Sequence, residues 1–189
     1  MHDDALSVIV CGSSAAMLMP AYLQSLSQEI DLCLRVLLTK SAERFLSPQV
    51  AAWLADEAYT SDDPALRPIE LARRSFAIVV LPATANTLAA AALGLAATPA
   101  QTALLASEQP ALFFPMMNAC LLDKNSTQRH IATLRADGHT VIDPEEGRMY
   151  ELSSRQVVTG PVLLQPGPLT EVVAKWLEAR LAGDGQDQA

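Results

Sequence analysis

The sequence predicts an α/β protein built on a doubly wound parallel sheet. Two observations carry this. Short, almost wholly apolar runs alternate with stretches of helical periodicity along most of the chain. A strand apolar at successive positions, not at alternate ones, is buried on both faces, which is the situation of a parallel sheet covered by helices. The 189 residues suit a single domain.

Residues 5–11 (ALSVIVC) read as the first buried strand, closed by the tight turn Gly12-Ser13-Ser14. A helix is expected over 15–28, and a second strand over 32–38 (LCLRVLL), closed by Thr39-Lys40-Ser41. Helical segments follow at 41–45 and 48–57, with Pro48 suited to a first helical turn. Residues 59–68 (YTSDDPALRP) are polar and proline-bearing, so they read as a loop. A third strand spans 76–81 (FAIVVL) and ends in a small polar cluster at 82–87. An alanine-rich helix is expected over 88–97, a strand over 111–114, a helix over 127–136 and a short strand over 140–142. The segment 144–167 breaks the alternation and reads as a hairpin or flap, before a last amphipathic helix over 169–181. One domain over 1–183 and a frayed tail over 184–189 are expected.

Half of the residues are apolar, the net charge is −8 and no basic run occurs. Nucleic-acid binding needs Lys and Arg to neutralise phosphates, so it is not expected. Cys11, Cys33 and Cys120 are too few and too widely spaced for a disulfide framework or a metal site. No apolar run reaches the ~18 residues of a membrane span, and the first residues, MHDD, lack a basic signal-peptide region. The expected location is the cytoplasm.

Ligands of open parallel sheets bind at the carboxyl ends of the strands. Three strands here end in hydroxyl-bearing turns: Gly12-Ser13-Ser14, Thr39-Lys40-Ser41 and Ala83-Thr84-Ala85-Asn86-Thr87. Each alone is an ordinary helix cap. Together they form a cradle for a phosphate-bearing ligand, since hydroxyls and helix-start amides converge there.

Residues 82–87, PATANT, resemble the PASANT motif of the flavin-containing cysteine decarboxylases. Residues 115–118, PMMN, with Ala119-Cys120-Leu121-Leu122 after them, resemble that family's PxMNxxMW motif. The segment 38–48 (LTKSAERFLSP) and the helix carrying Thr127-Gln128-Arg129-His130 are similar to the same family. The resemblance implies a Rossmann-like (flavodoxin-like) fold and a bound FMN or FAD. It also implies oxidative decarboxylation of a C-terminal cysteine, through a thioaldehyde, to an enethiolate. The family includes phosphopantothenoylcysteine decarboxylases and the peptidyl-cysteine decarboxylases of epidermin-type peptide maturation. The flap favours the peptide branch: residues 145–154 lack the cysteine of the phosphopantothenoyl enzymes, while Tyr150-Glu151-Leu152-Ser153-Ser154 is similar to the epidermin-type substrate clamp.

By resemblance, Asn118 grips the substrate carboxylate and Asn86 supports flavin and substrate. Gly12, Ser13, Ser14, Thr39, Ser41, Ala83 and Thr84 fall to the flavin phosphate and ribityl chain. Phe45 and Met117 either lie against the flavin ring or fill the core. Family members are homotrimers with the flavin between neighbours, and some assemble into dodecamers. Three positions depart from the family. Its active-site histidine, in a His-Ile-Glu-Leu-like context, is replaced by Pro68 in Pro68-Ile69-Glu70-Leu71. The aspartate after the PASANT helix is missing from residues 94–98, and Leu122 stands where the motif ends in tryptophan. Proline can neither accept nor donate a side-chain proton. A non-catalytic flavin-binding regulatory subunit therefore remains an alternative, as does phosphopantothenoylcysteine as substrate.

Overall fold

The computed structural model describes residues 5–152 and 154–184. Its strands are β1 (Ala5–Val10), β2 (Cys33–Leu38), β3 (Glu57–Thr60), β4 (Ser75–Ala83), β5 (Leu112–Pro115), β6 (Thr140–Val141), β7 (Glu145–Glu151) and β8 (Gln156–Val162). Its helices are α1 (Met19–Glu29), α2 (Pro48–Leu54), α3 (Pro68–Arg73), α4 (Ala85–Ala92), α5 (Pro99–Ala106), α6 (Ala119–Leu122), α7 (Asn125–Ala136) and α8 (Pro166–Asp184). Short 3-10 turns lie at Ser14–Leu18 and Ala42–Arg44.

Six strands form one parallel sheet in the order β3-β2-β1-β4-β5-β6. Its centre is apolar on both faces, as the unbroken hydrophobic runs predict. Leu6, Val8 and Val10 of β1 join Val36, Val79 and Phe114 in one core, against α1 and α8. Ile9 joins Leu37, Val80 and Phe113 in the other, against α3, α5 and α7. Successive side chains of a strand point to opposite faces, so both sets must be apolar for both helical layers to seat. Among the described residues, no helix is long and apolar enough to cross a membrane.

Several elements differ from the sequence reading. Residues 57–60 form the edge strand β3, where a helix end and a loop are expected. Its anchor is a buried charge: Arg35 on β2 is 1 % exposed and clamps the Glu57 carboxylate with two bonds, Nε–Oε2 at 2.8 Å and Nη2–Oε1 at 3.1 Å. Tyr59 donates its hydroxyl to the same carboxylate (2.8 Å), and Arg74 adds a third cationic contact (3.2 Å). Arg35 and Glu57 are register partners. Residues this far apart in sequence leave no local periodicity to read. Helix α4 stops at Ala92, short of the expected 97, and Gly94 follows at φ 64°, the left-handed conformation that closes helices. Helices α3 and α5 are additional, each opened by a proline, with the Thr98 hydroxyl accepting from Gln101 N (3.3 Å) to cap α5.

The break in the alternation is the antiparallel hairpin β7–β8. At its base the Tyr22 hydroxyl donates to Leu164 O (2.8 Å), which fixes the exit of the hairpin to α1. The expected tail lies almost wholly outside the described residues.

Hydrogen bonding to Arg35 holds the Glu57 carboxyl down to about 2 from its ordinary 4.5. A depressed carboxyl stabilises the fold above its unfolded pKa, and that contribution fades as pH falls from about 4.5 towards about 2. Glu57→Ala strands the Arg35 charge and is expected to cost about 3–5 kcal/mol in urea unfolding at neutral pH. It should also flatten the acid limb of the stability profile. A variant as stable as the parent would remove this pair as the anchor of β3.

Candidate functional site

The site arises from the strand order. The chain leaves β1 towards β2 on one side and leaves β4 towards β5 on the other. Loops that depart in opposite directions open a crevice at the carboxyl ends of the two central strands, the topological switch point of such sheets.

The β1 wall is Gly12-Ser13-Ser14. A Cβ at Gly12 would lie 2.8 Å from the Ser41 carbonyl carbon and closer still to the Ser41 side chain, so only glycine lets the two turns approach. Ser13 caps the following 3-10 turn, its hydroxyl accepting from Ala15 N (3.4 Å). The β4 wall is Thr84, whose hydroxyl caps α4 by accepting from Thr87 N (3.4 Å) and lies 3.1 Å from the Thr87 hydroxyl. Thr87 meets the buried Cys11 thiol at 3.2 Å. Burial pushes that thiol up to about 11, so Cys11 is a packing residue and not a nucleophile.

Strand β5 supplies the third wall. Met116 N donates to Ala83 O (2.9 Å), tying the turn after β5 to β4. Met116 and Met117 are 6 % and 7 % exposed, one on each core face of the sheet. Asn118 occupies the N-cap position of α6, at φ −59° and ψ 145°, yet its side chain makes no capping bond. Asn86, in the first turn of α4, is exposed. Among the described residues neither amide is hydrogen-bonded to another side chain or to the backbone.

These walls enclose a cavity of about 330 Å³ lined by Gly12, Ser13, Ser14, Thr84, Asn86, Met117 and Asn118, with Ala85, Met116, Leu121 and Met149. Seven of the sequence candidates therefore meet in one place. Ser14, Met116 and Met149 also line a second, more apolar cavity of about 460 Å³, floored by Leu18 and Tyr22 and covered by Tyr150 and Leu152 of the hairpin. The two cavities form one trough.

The remaining candidates stand outside its lining. Thr39 donates its hydroxyl to Val10 O (3.1 Å), and Ser41 sits behind Gly12. Ala83 is fully buried in β4, and Phe45 is half-buried against a core face. Glu151 is half-buried and Ser154 exposed on the hairpin, while Ser153 lies outside the described residues. Pro68 opens α3 and lines a separate surface depression with Arg67, Ile69 and Arg73. The lining residues missed as candidates include Met116 and Met149. Met116 sits inside the quoted 115–118 motif, whereas Met149 reaches the site through the hairpin's tertiary placement and has no local signal.

Chemically, the crevice offers hydroxyls, helix-start N–H groups, an apolar sulfur-lined wall and a neutral amide without a partner. The first two suit a phosphate-bearing chain. The wall suits a planar ring, and the amide suits a carboxylate. These residues fit a flavin nucleotide with a carboxylate substrate beside it.

Comparison with known proteins agrees. The family model described as Flavoprotein matches residues 2–160. The chain is 29% identical over 186 residues to mersacidin decarboxylase of Bacillus sp. (strain HIL-Y85/54728), covering 95% of this chain and 94% of that protein. It is 36% identical over 119 residues to the coenzyme A biosynthesis bifunctional protein CoaBC of Bacillus subtilis (strain 168), covering 60% of this chain and 29% of that one. Among solved structures, MrsD from Bacillus sp. HIL-Y85/54728 superposes with a TM-score of 0.78 at 28% identity, covering 93% of this chain and 97% of that chain. The FMN-dependent cysteine decarboxylase SpaF does so with a TM-score of 0.72 at 28% identity, covering 84% and 90%.

Gly12→Ala must push the Ser41 turn away, at a cost of about 1–3 kcal/mol. The purified variant is expected to retain less flavin, measured by absorbance against protein. Gly167→Ala, where an added Cβ meets nothing within 4 Å, serves as the control. Full flavin retention by Gly12→Ala would detach this close approach from the binding site.

Proposed function

This chain belongs to the Flavoprotein family, and we propose that it is an oxidative decarboxylase acting on the C-terminal cysteine of a ribosomally made precursor peptide, with FMN as cofactor. The observation that carries the reading is the free amide of Asn118. It stands at a helix start without capping it and lines the hydroxyl-bearing crevice, which adjoins the apolar groove through Ser14, Met116 and Met149. FMN is preferred over FAD because the similar SpaF is described as FMN-dependent.

The flavin would supply the two-electron acceptor, and the rest belongs to the chain. Ser13, Ser14 and Thr84 hold the phosphate-bearing end, with Thr39 and Ser41 supporting the turn behind Gly12. Asn118 orients the substrate carboxylate by hydrogen bonding without an ion pair, so it does not oppose the loss of charge as CO2 leaves. Asn86 borders the same space. Met116 and Met117 keep water from the reacting carbon. Tyr150, Glu151, Leu152 and Ser154 belong to the hairpin that clamps the peptide.

Pro68 supplies no base. A cysteine thiol with pKa ~8.5 is already a few per cent thiolate at neutral pH, which makes a dedicated base dispensable. In the proposed homotrimer, alone or assembled into a dodecamer, the flavin would lie between neighbouring subunits. Two other readings have specific support. Pro68 favours a flavin-binding regulatory subunit, and the CoaBC similarity favours a phosphopantothenoylcysteine substrate. Against the latter, residues 145–154 contain no cysteine.

Short peptides ending in cysteine, incubated with flavin-loaded protein in air, are expected to lose the mass of CO2 plus two hydrogens. Asn118→Ala should slow this by about a hundredfold or more, the usual cost of losing one positioned donor. With no protein base, the rate should climb with pH towards the thiol pKa, ~8.5. Intact peptides across a varied set, with flavin bound, would favour the regulatory reading. Turnover of phosphopantothenoylcysteine in place of peptides would favour the small substrate.

A further inference from the structure

The apolar groove beside the crevice has one charged residue in its lining, Arg148, and no acid. That is unusual for a chain with 21 acidic and 13 basic residues. Arg148 lies on β7, opposite Thr159 on β8, and is exposed. Among the described residues it has no ion pair or hydrogen bond from its guanidinium. Alternate residues of a strand share a face, so Arg148 and Tyr150 project together, with Leu152 next beyond the strand. Met149, on the opposite face of β7, lines the groove as well, together with Leu18 and Tyr22 of the 3-10 turn and α1, and Met116 and Met149 are shared with the Asn118 cavity.

Resting on the peptide reading above, we infer that Arg148 makes this groove selective for a peptide with an acidic side chain upstream of its C-terminal cysteine, flanked by bulky apolar residues. A chain running out of the Asn118 cavity can enter the groove directly, because the two share Ser14, Met116 and Met149. Apolar side chains gain from filling it. Lysine or arginine there would face Arg148, and an acid would meet an unpaired guanidinium able to form two bonds to one carboxylate. The net charge of −8 would by itself repel an acidic peptide. Salt screens that distant field beyond ~8–10 Å, whereas a contact pair survives. The preference for acid should therefore run against the overall charge.

The test measures binding, so it does not depend on turnover. Flavin-loaded protein is titrated with short fluorescent peptides ending in serine in place of cysteine, with Asp, Ala or Lys placed in turn at each upstream position. At one position Asp is expected to bind about fivefold tighter than Ala, with Lys weaker than both. Arg148→Lys should keep the order, Arg148→Ala should erase it, and Arg148→Glu should reverse it. An order unchanged in Arg148→Glu, or no charge preference at any position, overturns the inference and leaves the peptide reading standing. Failure of every peptide to bind would overturn both.

Discussion

Two central strands whose chains turn away from each other cannot also close the space above their ends. In this sheet β1 and β4 are those strands, and the turns at their carboxyl ends determine what the protein can bind. The turn after β1 must be small because the turn after β2 presses against it, as the Gly12–Ser41 approach shows. The turn after β4 must start a helix while leaving room beside it, and Thr84 does both by capping α4 from the edge of the cavity. The turn after β5 brings Asn118 to the same place. In the proposed site, secondary-structure capping and ligand binding would draw on the same hydroxyls. Removing one of them would disturb fold and site together, whereas Asn118 makes no capping bond and is free for chemistry alone.

Much of this was legible in the sequence where the information is local. The almost wholly apolar strands 5–11, 32–38 and 76–81 announced a sheet buried on both faces, and both cores exist. The small polar clusters at 12–14 and 82–87 announced the crevice, and the structure brings them together. Illegible were features that depend on a partner distant in the chain. Strand β3 is held by the ion pair from Arg35 to Glu57, and a short edge strand of mixed polarity has no periodicity of its own. Helix α5 has no clear local signal, because an alanine- and leucine-rich stretch lacks a broad polar face. Met149 enters the site because a hairpin folds back over it.

If Pro68 stands where the resembled family carries a histidine, that exchange separates fold from chemistry. Proline at the first turn of α3 is structurally comfortable, since that position has no intrahelical amide bond to lose. The fold therefore offers no resistance to a proline at this position. Among the described residues, the lining of the Asn118 cavity holds no proton acceptor near neutrality: the side chains there are small, hydroxylic, aliphatic, amide or thioether. The cavity suits a reaction whose electrons leave to a bound acceptor and whose acidic group is already on the substrate. It does not suit a reaction that needs the protein to hold a charge.

If the trough couples a bound flavin directly to a peptide's C-terminal cysteine without a histidine, the flavin itself must take the electrons. Mixing the flavin-loaded protein with such a peptide in the absence of oxygen tests this most directly. The predicted result is that the visible absorption of the flavin bleaches as one CO2 is released per flavin. A flavin that stays oxidised against every cysteine-ended peptide, while those peptides bind, would contradict it.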